Sequence, residues 1–204
     1  MRTIIFLAIF TTGVAFAASD YVEERALNLD AGGVSTLQIE AGAGSLAVIG
    51  VDGLDQIEVD AIITIPGRND DKARKKIETD LELTLEERGG NAVLRSIFED
   101  GMWDFGDSPS VQLIVRMPMQ LDLNVDDGSG SLVVENVHGD IELIDGSGSI
   151  SMSDVGGRVD VDDGSGSIVI DGAGGNVSIS DGSGSIKVRD VAGSVVVDDG
   201  SGSI

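Results

Sequence analysis

The sequence is poor in the residues that most catalytic and metal sites need. Its 204 residues include no cysteine and one histidine, and only 13 lysines and arginines stand against 36 aspartates and glutamates. Without cysteine the chain forms no disulfide, no thiolate zinc site and no catalytic thiol. A formal net charge of -23 repels phosphate backbones, so the composition excludes a nucleic-acid partner.

Long hydrophobic runs are also scarce. The stretch Ile4 to Phe10 near the start is apolar but too short to span a bilayer. Arg2 precedes it and Ala15-Phe16-Ala17 follows it, which is the pattern of a signal peptide; a buried first strand is the alternative. We expect residues 1–17 to be removed on export to the periplasm, the cell surface or the medium. The mature chain has no predicted membrane span.

What the sequence has in excess is glycine, arranged in a repeat of fixed length. There are 29 glycines, and the string Asp-Gly-Ser-Gly-Ser recurs every 18 residues without insertion. It begins at Asp127, Asp145, Asp163, Asp181 and Asp199. Self-similarity at a fixed period indicates stacked structural units.

Each repeat, counted from its aspartate, has apolar residues at positions 6, 8, 15 and 17. This period of two predicts two short strands per repeat, each with one face inward, separated by glycine corners. Pairing like strands in parallel gives a mainly β fold, a parallel β-solenoid (β-helix or β-roll) of 18-residue coils. An antiparallel sheet of hairpins is the alternative. Identical residues at every 18th position favour the solenoid.

A diverged copy of the repeat lies upstream. Residues 35–53 match the first regular repeat at a constant offset of 86, so that Leu46 corresponds to Leu132. Between the copies we predict a strand, a charged helix over Asp70 to Glu78 and three further strands. This small α+β insertion is expected to cap the N-terminal end of the solenoid. The predicted organisation is a signal peptide (1–17), a segment with the first coil (18–56), the insertion (57–120) and the solenoid (121–204).

Several of these segments occur together in one known group of proteins. They are the signal peptide, the Leu37–Gly53 opening, the Asp70–Arg88 stretch before Gly89-Gly90, the Val115–Pro118 segment and the Gly-Ser-Gly-Ser repeats. With them the chain resembles the bacterial putative-adhesin family of β-strand-repeat proteins, a domain of unknown function. The resemblance implies an exported β-solenoid and brings no catalytic residue with it.

The repeated aspartates are the first candidate site. In stacked coils they lie about 4.8 Å apart, where neighbouring carboxylates repel by roughly 0.9 kcal/mol even in bulk water. They either accept hydrogen bonds from turn N–H groups or share calcium ions between coils. The calcium-binding β-roll motif has its ligand aspartate where this chain has Leu132 and Ile150, which favours turn capping. The candidate calcium ligands are Asp127, Asp145, Asp163, Asp181 and Asp199.

The second candidate site is aromatic. After residue 17 the chain has four aromatic residues, and Phe98, Trp103 and Phe105 fall in one segment rich in glycine and acidic residues. An exposed cluster of this kind contacts a sugar or a protein, whereas a buried one covers the insertion's core. We take these three residues as a candidate recognition patch.

The sequence holds no convincing catalytic constellation. Its Gly-Ser-Gly corners lack the helix and lysine of a phosphate loop, and their serines lack a histidine base. We therefore predict a non-enzymatic, exported β-solenoid that acts by contact with an envelope protein or glycan and needs no cofactor. The alternatives are a calcium-stabilised structural β-roll and, with less support, a polysaccharide-acting enzyme on a β-helix.

The end of the repeat array suggests a further contact. The sequence stops at Ile204, position 6 of a fifth repeat, with no capping element after it. An uncapped last strand exposes unpaired N–H and C=O groups. We expect either a continuation of the chain beyond residue 204 or self-association through this edge by strand addition.

Overall fold

The computed structural model describes residues 20–67, 70–99 and 108–204, so the predicted signal peptide lies outside the described residues. The described chain is mainly β, and its strands join in one sheet with mostly parallel pairing. The elements are β1 (Tyr21–Asp30), β2 (Thr36–Val51), β3 (Gln56–Ile65), α1 (Asp70–Asp80), β4 (Leu81–Arg88), β5 (Asn91–Phe98), β6 (Ser110–Pro118), β7 (Asp122–Glu135), β8 (Ile141–Asp145), β9 (Gly148–Val155), β10 (Val159–Asp163), β11 (Gly166–Ala173), β12 (Val177–Asp181), β13 (Gly184–Val191), β14 (Val195–Asp199) and β15 (Gly202–Ser203).

The repeats pair each strand with its equivalents. β11 lies between β9 and β13, with Ile168 opposite Ile150 and Ile186. β10 lies between β8 and β12 in the same way. Each residue in these strands therefore faces the residues 18 positions before and after it. All four pairings are parallel, so the antiparallel-hairpin alternative is wrong for this part of the chain.

The strands form two rows that the long strands β2 and β7 connect. One row runs through β8, β10, β12 and β14, and the other through β9, β11, β13 and β15. The first half of β7 pairs with β8 and its second half with β9. β2 pairs in parallel with β7 at an offset of 86, and Leu46 lies opposite Leu132.

Residues 56–118 extend both rows on the other edge of β2. β5 pairs in parallel with Thr36–Ala41, and β6 pairs in parallel with Leu46–Val51. β4 then pairs with β5 in antiparallel fashion, as β3 does with β6 and β1 with β3. The sequence analysis did not predict β1, whose ten residues alternate too weakly in hydrophobicity to stand out.

The hydrophobic core runs between the two rows. The buried side chains of the first repeat lie at positions 6, 8, 15 and 17. They are at most 1% exposed and belong to Leu132, Val134, Ile141 and Leu143. Burial of this kind stabilises the fold by about 25 cal/mol per Å² of apolar surface removed from water. The predicted phase of the repeat, with these positions inward, agrees with the burial along β7 to β12, whereas Val195 at position 15 of the last full repeat is 45% exposed.

Glycines lie where successive repeats approach most closely. At position 4 of the repeat, Gly148 and Gly166 have φ angles of +153° and +148°. A Cβ built on Gly166 would lie 1.6 Å from the carbonyl oxygen of Gly148. The backbones of adjacent repeats therefore leave no room for a side chain at this corner.

Candidate functional site

The repeated aspartates continue the inward alternation of their strands. In β8, Ile141, Leu143 and Asp145 are the three buried residues, and β10 and β12 follow the same pattern. Asp127, Asp145, Asp163 and Asp181 are only 2–4% exposed. We call these four residues the aspartate column.

The members of the column are neighbours across the coils. Asp145 lies opposite Asp127 on one side and Asp163 on the other, and Asp163 lies opposite Asp181. Asp199, opposite Asp181 in β14, continues the row but is less buried. The structure thus brings all five sequence-predicted aspartates into one line along the solenoid.

One oxygen of several of these carboxylates caps the following turn. Oδ1 of Asp163 accepts a hydrogen bond from the Ser165 N–H at 3.1 Å, and Oδ1 of Asp181 accepts one from the Ser183 N–H at 3.0 Å. Asp199 makes the same contact with Ser201. This is the Asx-turn geometry that aspartate adopts before glycine. It fixes the carboxylates in the interior, at the start of each Gly-Ser-Gly corner.

The remaining oxygens of the column are buried without a partner. Among the described residues, Oδ2 of Asp127, Asp163 and Asp181 and both carboxylate oxygens of Asp145 have no hydrogen-bond partner. The basic residues of the 121–204 segment, Arg158, Lys187 and Arg189, are exposed on the outside of the solenoid. Burying an ionised carboxylate in such surroundings costs free energy of folding, so buried carboxylates usually bind a proton and become neutral.

The pKa values of the column follow from this burial. Desolvation, reinforced by the charge of Asp145, raises the pKa of Asp127 to about 7. Desolvation also raises the pKa of Asp163 to about 6, against the opposing effect of the Ser165 N–H. The pKa of Asp145 is raised for the same reason. Asp127 and Asp163 are therefore interior acids that take up protons near neutral pH.

The sequence and the fold now identify a family. Residues 34–204 match the family model Toastrack DUF4097. The chain belongs to the Toastrack DUF4097 family. No protein with curated annotation matches the chain.

A comparison with solved structures also gives matches to this Toastrack chain, and the first of those below is similar in fold. A putative cell adhesion protein from Clostridium sporogenes is 10% identical and has a TM-score of 0.50, over 90% of this chain and 100% of its own. A putative adhesin from Bacteroides fragilis is 14% identical, with a TM-score of 0.29 over 93% of this chain and 100% of its own. A putative adhesin from Parabacteroides distasonis is 14% identical, with a TM-score of 0.32 over 86% and 79% of the two chains.

The aromatic candidate patch is described only at its first residue. Phe98 ends β5, is partly buried and packs against the core of the Toastrack fold. Beside it lies an open cavity of about 280 Å³ whose lining includes Ile97, Ser108 and Pro109. Trp103 and Phe105 lie outside the described residues.

The described residues contain neither a compact metal-binding cluster nor a membrane-spanning helix. Within residues 20–67, 70–99 and 108–204, no three histidine, cysteine, aspartate or glutamate side chains form a cluster that could hold a metal ion. No helix in these ranges is long and apolar enough to cross a membrane. The aspartate column is therefore a line of carboxylates, without the convergent ligands of a single metal centre.

The interior position of the column was not predicted, although the sequence contains a signal for it. The repeat pattern predicts that positions 15 and 17 face inward, and two residues after position 17 comes the aspartate of the following repeat. The glycine after each aspartate predicts a turn at that point. It is both the last inward residue of its strand and the cap of the turn that follows.

We expect the protein to be more stable at pH 5 than at pH 8. In the unfolded chain aspartates titrate near pH 4, whereas Asp127 and Asp163 titrate at about 7 and about 6 when folded. When folding raises the pKa of an acid, the acid stabilises the folded state fully at pH values below its pKa in the unfolded chain. This stabilisation is lost as the pH rises through its pKa in the folded protein. The melting temperature should therefore fall by several degrees between pH 5 and pH 8.

Matched variants isolate the column from the overall negative charge. Asp127→Asn with Asp163→Asn removes two buried acids and should flatten the pH dependence. Asp126→Asn with Asp162→Asn removes two exposed neighbours at the same cost in net charge and should leave the pH dependence in place. Identical pH profiles for the two double variants would contradict the assignment.

Proposed function

We propose that this chain is an exported, non-enzymatic Toastrack protein that acts at the cell envelope or surface by contact with a protein or a glycan. Its solenoid consists of 18-residue coils over residues 121–204, and residues 57–120 cap the N-terminal end. The leader at 1–17 supplies export, and residues 18–56 carry the first coil. The name of the Clostridium sporogenes protein of like fold, which refers to cell adhesion, supports this function.

The observation that carries the proposal is a regular outward-facing column of hydroxyl groups. The serines at position 5 of the repeat are exposed and in register, with Ser149 opposite Ser131 and Ser167, and Ser167 opposite Ser185. Parallel pairing spaces these hydroxyls about 4.8 Å apart on a rigid sheet. Such an array offers repeated donors and acceptors to an extended polar partner.

The aspartate column supports a non-enzymatic function. A general acid or base must come within hydrogen-bond distance of its substrate. The carboxylates with the strongest pKa shifts are instead only 2–3% exposed and point into the core. Their perturbed acidity reflects their place in the fold, and no substrate reaches them there.

A capture experiment tests the proposal. Immobilised protein comprising residues 18–204 should retain envelope proteins or glycans from a cell-envelope extract. A triple variant with Ser149→Ala, Ser167→Ala and Ser185→Ala should lose most of this retention. The control Ser178→Ala with Ser180→Ala removes exposed hydroxyls from β12 in the other row and should behave like the wild type. Equal loss in both variants, or turnover of envelope polysaccharide by the purified protein, would contradict the proposal.

A second candidate function, a calcium-stabilised structural β-roll, is favoured by the unpartnered oxygens of the column. Carboxylates of successive coils would share each ion, because no single coil supplies enough oxygens. Millimolar calcium should then raise the melting temperature at pH 8 beyond the effect of sodium chloride at equal ionic strength. Since protons compete for the same oxygens, the difference should disappear at pH 5.

The calcium experiment has its own control. Asp145→Asn with Asp163→Asn should abolish the difference between calcium and sodium. Asp126→Asn with Asp162→Asn should preserve it, because these side chains are exposed. Equal melting temperatures in both salts at pH 8 would leave only charge screening and exclude the calcium function.

A further inference from the structure

The aspartate column is interrupted in the first coil. β2 places Ala41 opposite Asp127. On the other edge of β2, β5 places Ser96 opposite Ala41. Beyond Asp127, the next two positions in line with the column are therefore the methyl group of Ala41 and the hydroxyl group of Ser96. Because alanine is shorter than aspartate, the side chains of Asp127 and Ser96 have a gap between them.

The gap borders a small cavity of about 10 Å³, whose lining includes Ala41, Gly42, Ser96, Val111 and Asp127. A volume of about 10–15 Å³, measured in this way, is what one water molecule needs. The cavity thus has room for a single particle of that size.

Two polar side chains that line this cavity have unsatisfied hydrogen-bonding capacity. Ser96 is 3% exposed and its Oγ has no partner among the described residues. Asp127 is also 3% exposed, and its Oδ2 has none. Buried polar groups in folded proteins are nearly always paired, either with protein or with ordered water. Because the serine does not belong to the acidic repeat, it is an independent sign that the lining of this cavity is polar.

We propose that this cavity is a binding site for one internal water molecule that bridges Ser96 and Asp127. The water donates a hydrogen bond to Oδ2 of Asp127 and accepts one from the Ser96 hydroxyl. It connects β5 to the repeats across the methyl group of Ala41. Among the lining residues Asp127 is the only carboxylate, and a calcium ion needs six to eight oxygens, so water fits the cavity better than a divalent cation.

Counting slowly exchanging water tests the site. Oxygen-17 magnetic relaxation dispersion should find one long-lived water fewer in Ala41→Asn, whose amide fills the gap and bonds to both side chains. The control Ala47→Asn makes the same substitution further along β2, opposite Val133 and away from the cavity. It should leave the count unchanged. An unchanged count in Ala41→Asn, or an equal loss in both variants, would overturn the proposal.

Two measurements on the unaltered protein guard against misfolded variants. A high-resolution crystal structure should show one density peak within hydrogen-bond distance of Ser96 Oγ and Asp127 Oδ2. An empty cavity would overturn the proposal. The melting temperature at pH 8 should be equal in sodium, potassium and N-methylglucamine chlorides of the same ionic strength. A higher melting temperature in the sodium or potassium salt would assign the site to a monovalent cation and overturn the proposal of a bound water.

Discussion

Gly166→Val is expected to unfold most of the repeat region at room temperature. The first atom of the new side chain would lie 1.6 Å from the carbonyl oxygen of Gly148, well inside any van der Waals contact. The φ angle of +148° adds strain for a residue with a Cβ. Relief requires the coils to separate, which breaks the parallel ladder on that side. We expect a loss of more than about 4 kcal/mol in the free energy of unfolding.

Urea unfolding followed by circular dichroism measures this effect, and the chain offers a matched control. Gly42→Ala places its Cβ 3.7 Å from the Ser96 carbonyl oxygen, which is an ordinary contact. This variant should unfold within about 0.5 kcal/mol of the wild type. If Gly166→Val unfolds at the same urea concentration as Gly42→Ala, the backbones at Gly166 and Gly148 do not approach as closely as described here.

Ile168→Asp should cost about 3–5 kcal/mol, the range for an uncompensated charge in a core. Ile168 is fully buried and lies between Ile150 and Ile186 in the apolar row. The new carboxylate would have apolar neighbours in register on both sides. It lacks the turn N–H group that Asp163 has at Ser165. The same aspartate side chain is thus tolerated at position 1 of the repeat and excluded at position 6.

The adjacent residue supplies the comparison. Val169 is 38% exposed on the outer face of the same strand, so Val169→Asp should change stability by only about 0.5 kcal/mol. Thermal melts of the two variants at pH 8 should differ widely. Equal melting temperatures would contradict the burial difference between the two faces of β11, and a lower value for Val169→Asp would show that the inward face is assigned wrongly.

The repeat made the strands of the second half predictable from the sequence alone. Leu132, Val134, Ile141 and Leu143 alternate with polar residues, and a strand period of two leaves only one choice of inward face. In the insertion, the helix begins at Asp70 as predicted and ends at Asp80, two residues later than expected. Local patterns were sufficient for these elements.

Long-range pairing was not accessible in the same way. The alternation in β5 and β6 indicates two strands but does not say that both join the same edge of β2. The water site depends on this pairing, because Ser96 and Asp127 meet only when β5 and β7 lie on opposite edges of β2. The constant offset of 86 did align Ala41 with Asp127, and that alignment is the one sequence signal for the break in the column.

The shared register of the repeats has a consequence for how this protein can vary. Each coil presents its neighbours with nearly the same surface on both sides, as the pairing of β9, β11 and β13 shows. Loss or duplication of an in-frame unit in the gene would therefore join two compatible surfaces and create no new interface. The length of the repeat region becomes a matter of copy number, at about 4.8 Å per repeat. Selection can adjust that length in whole steps without redesigning the fold.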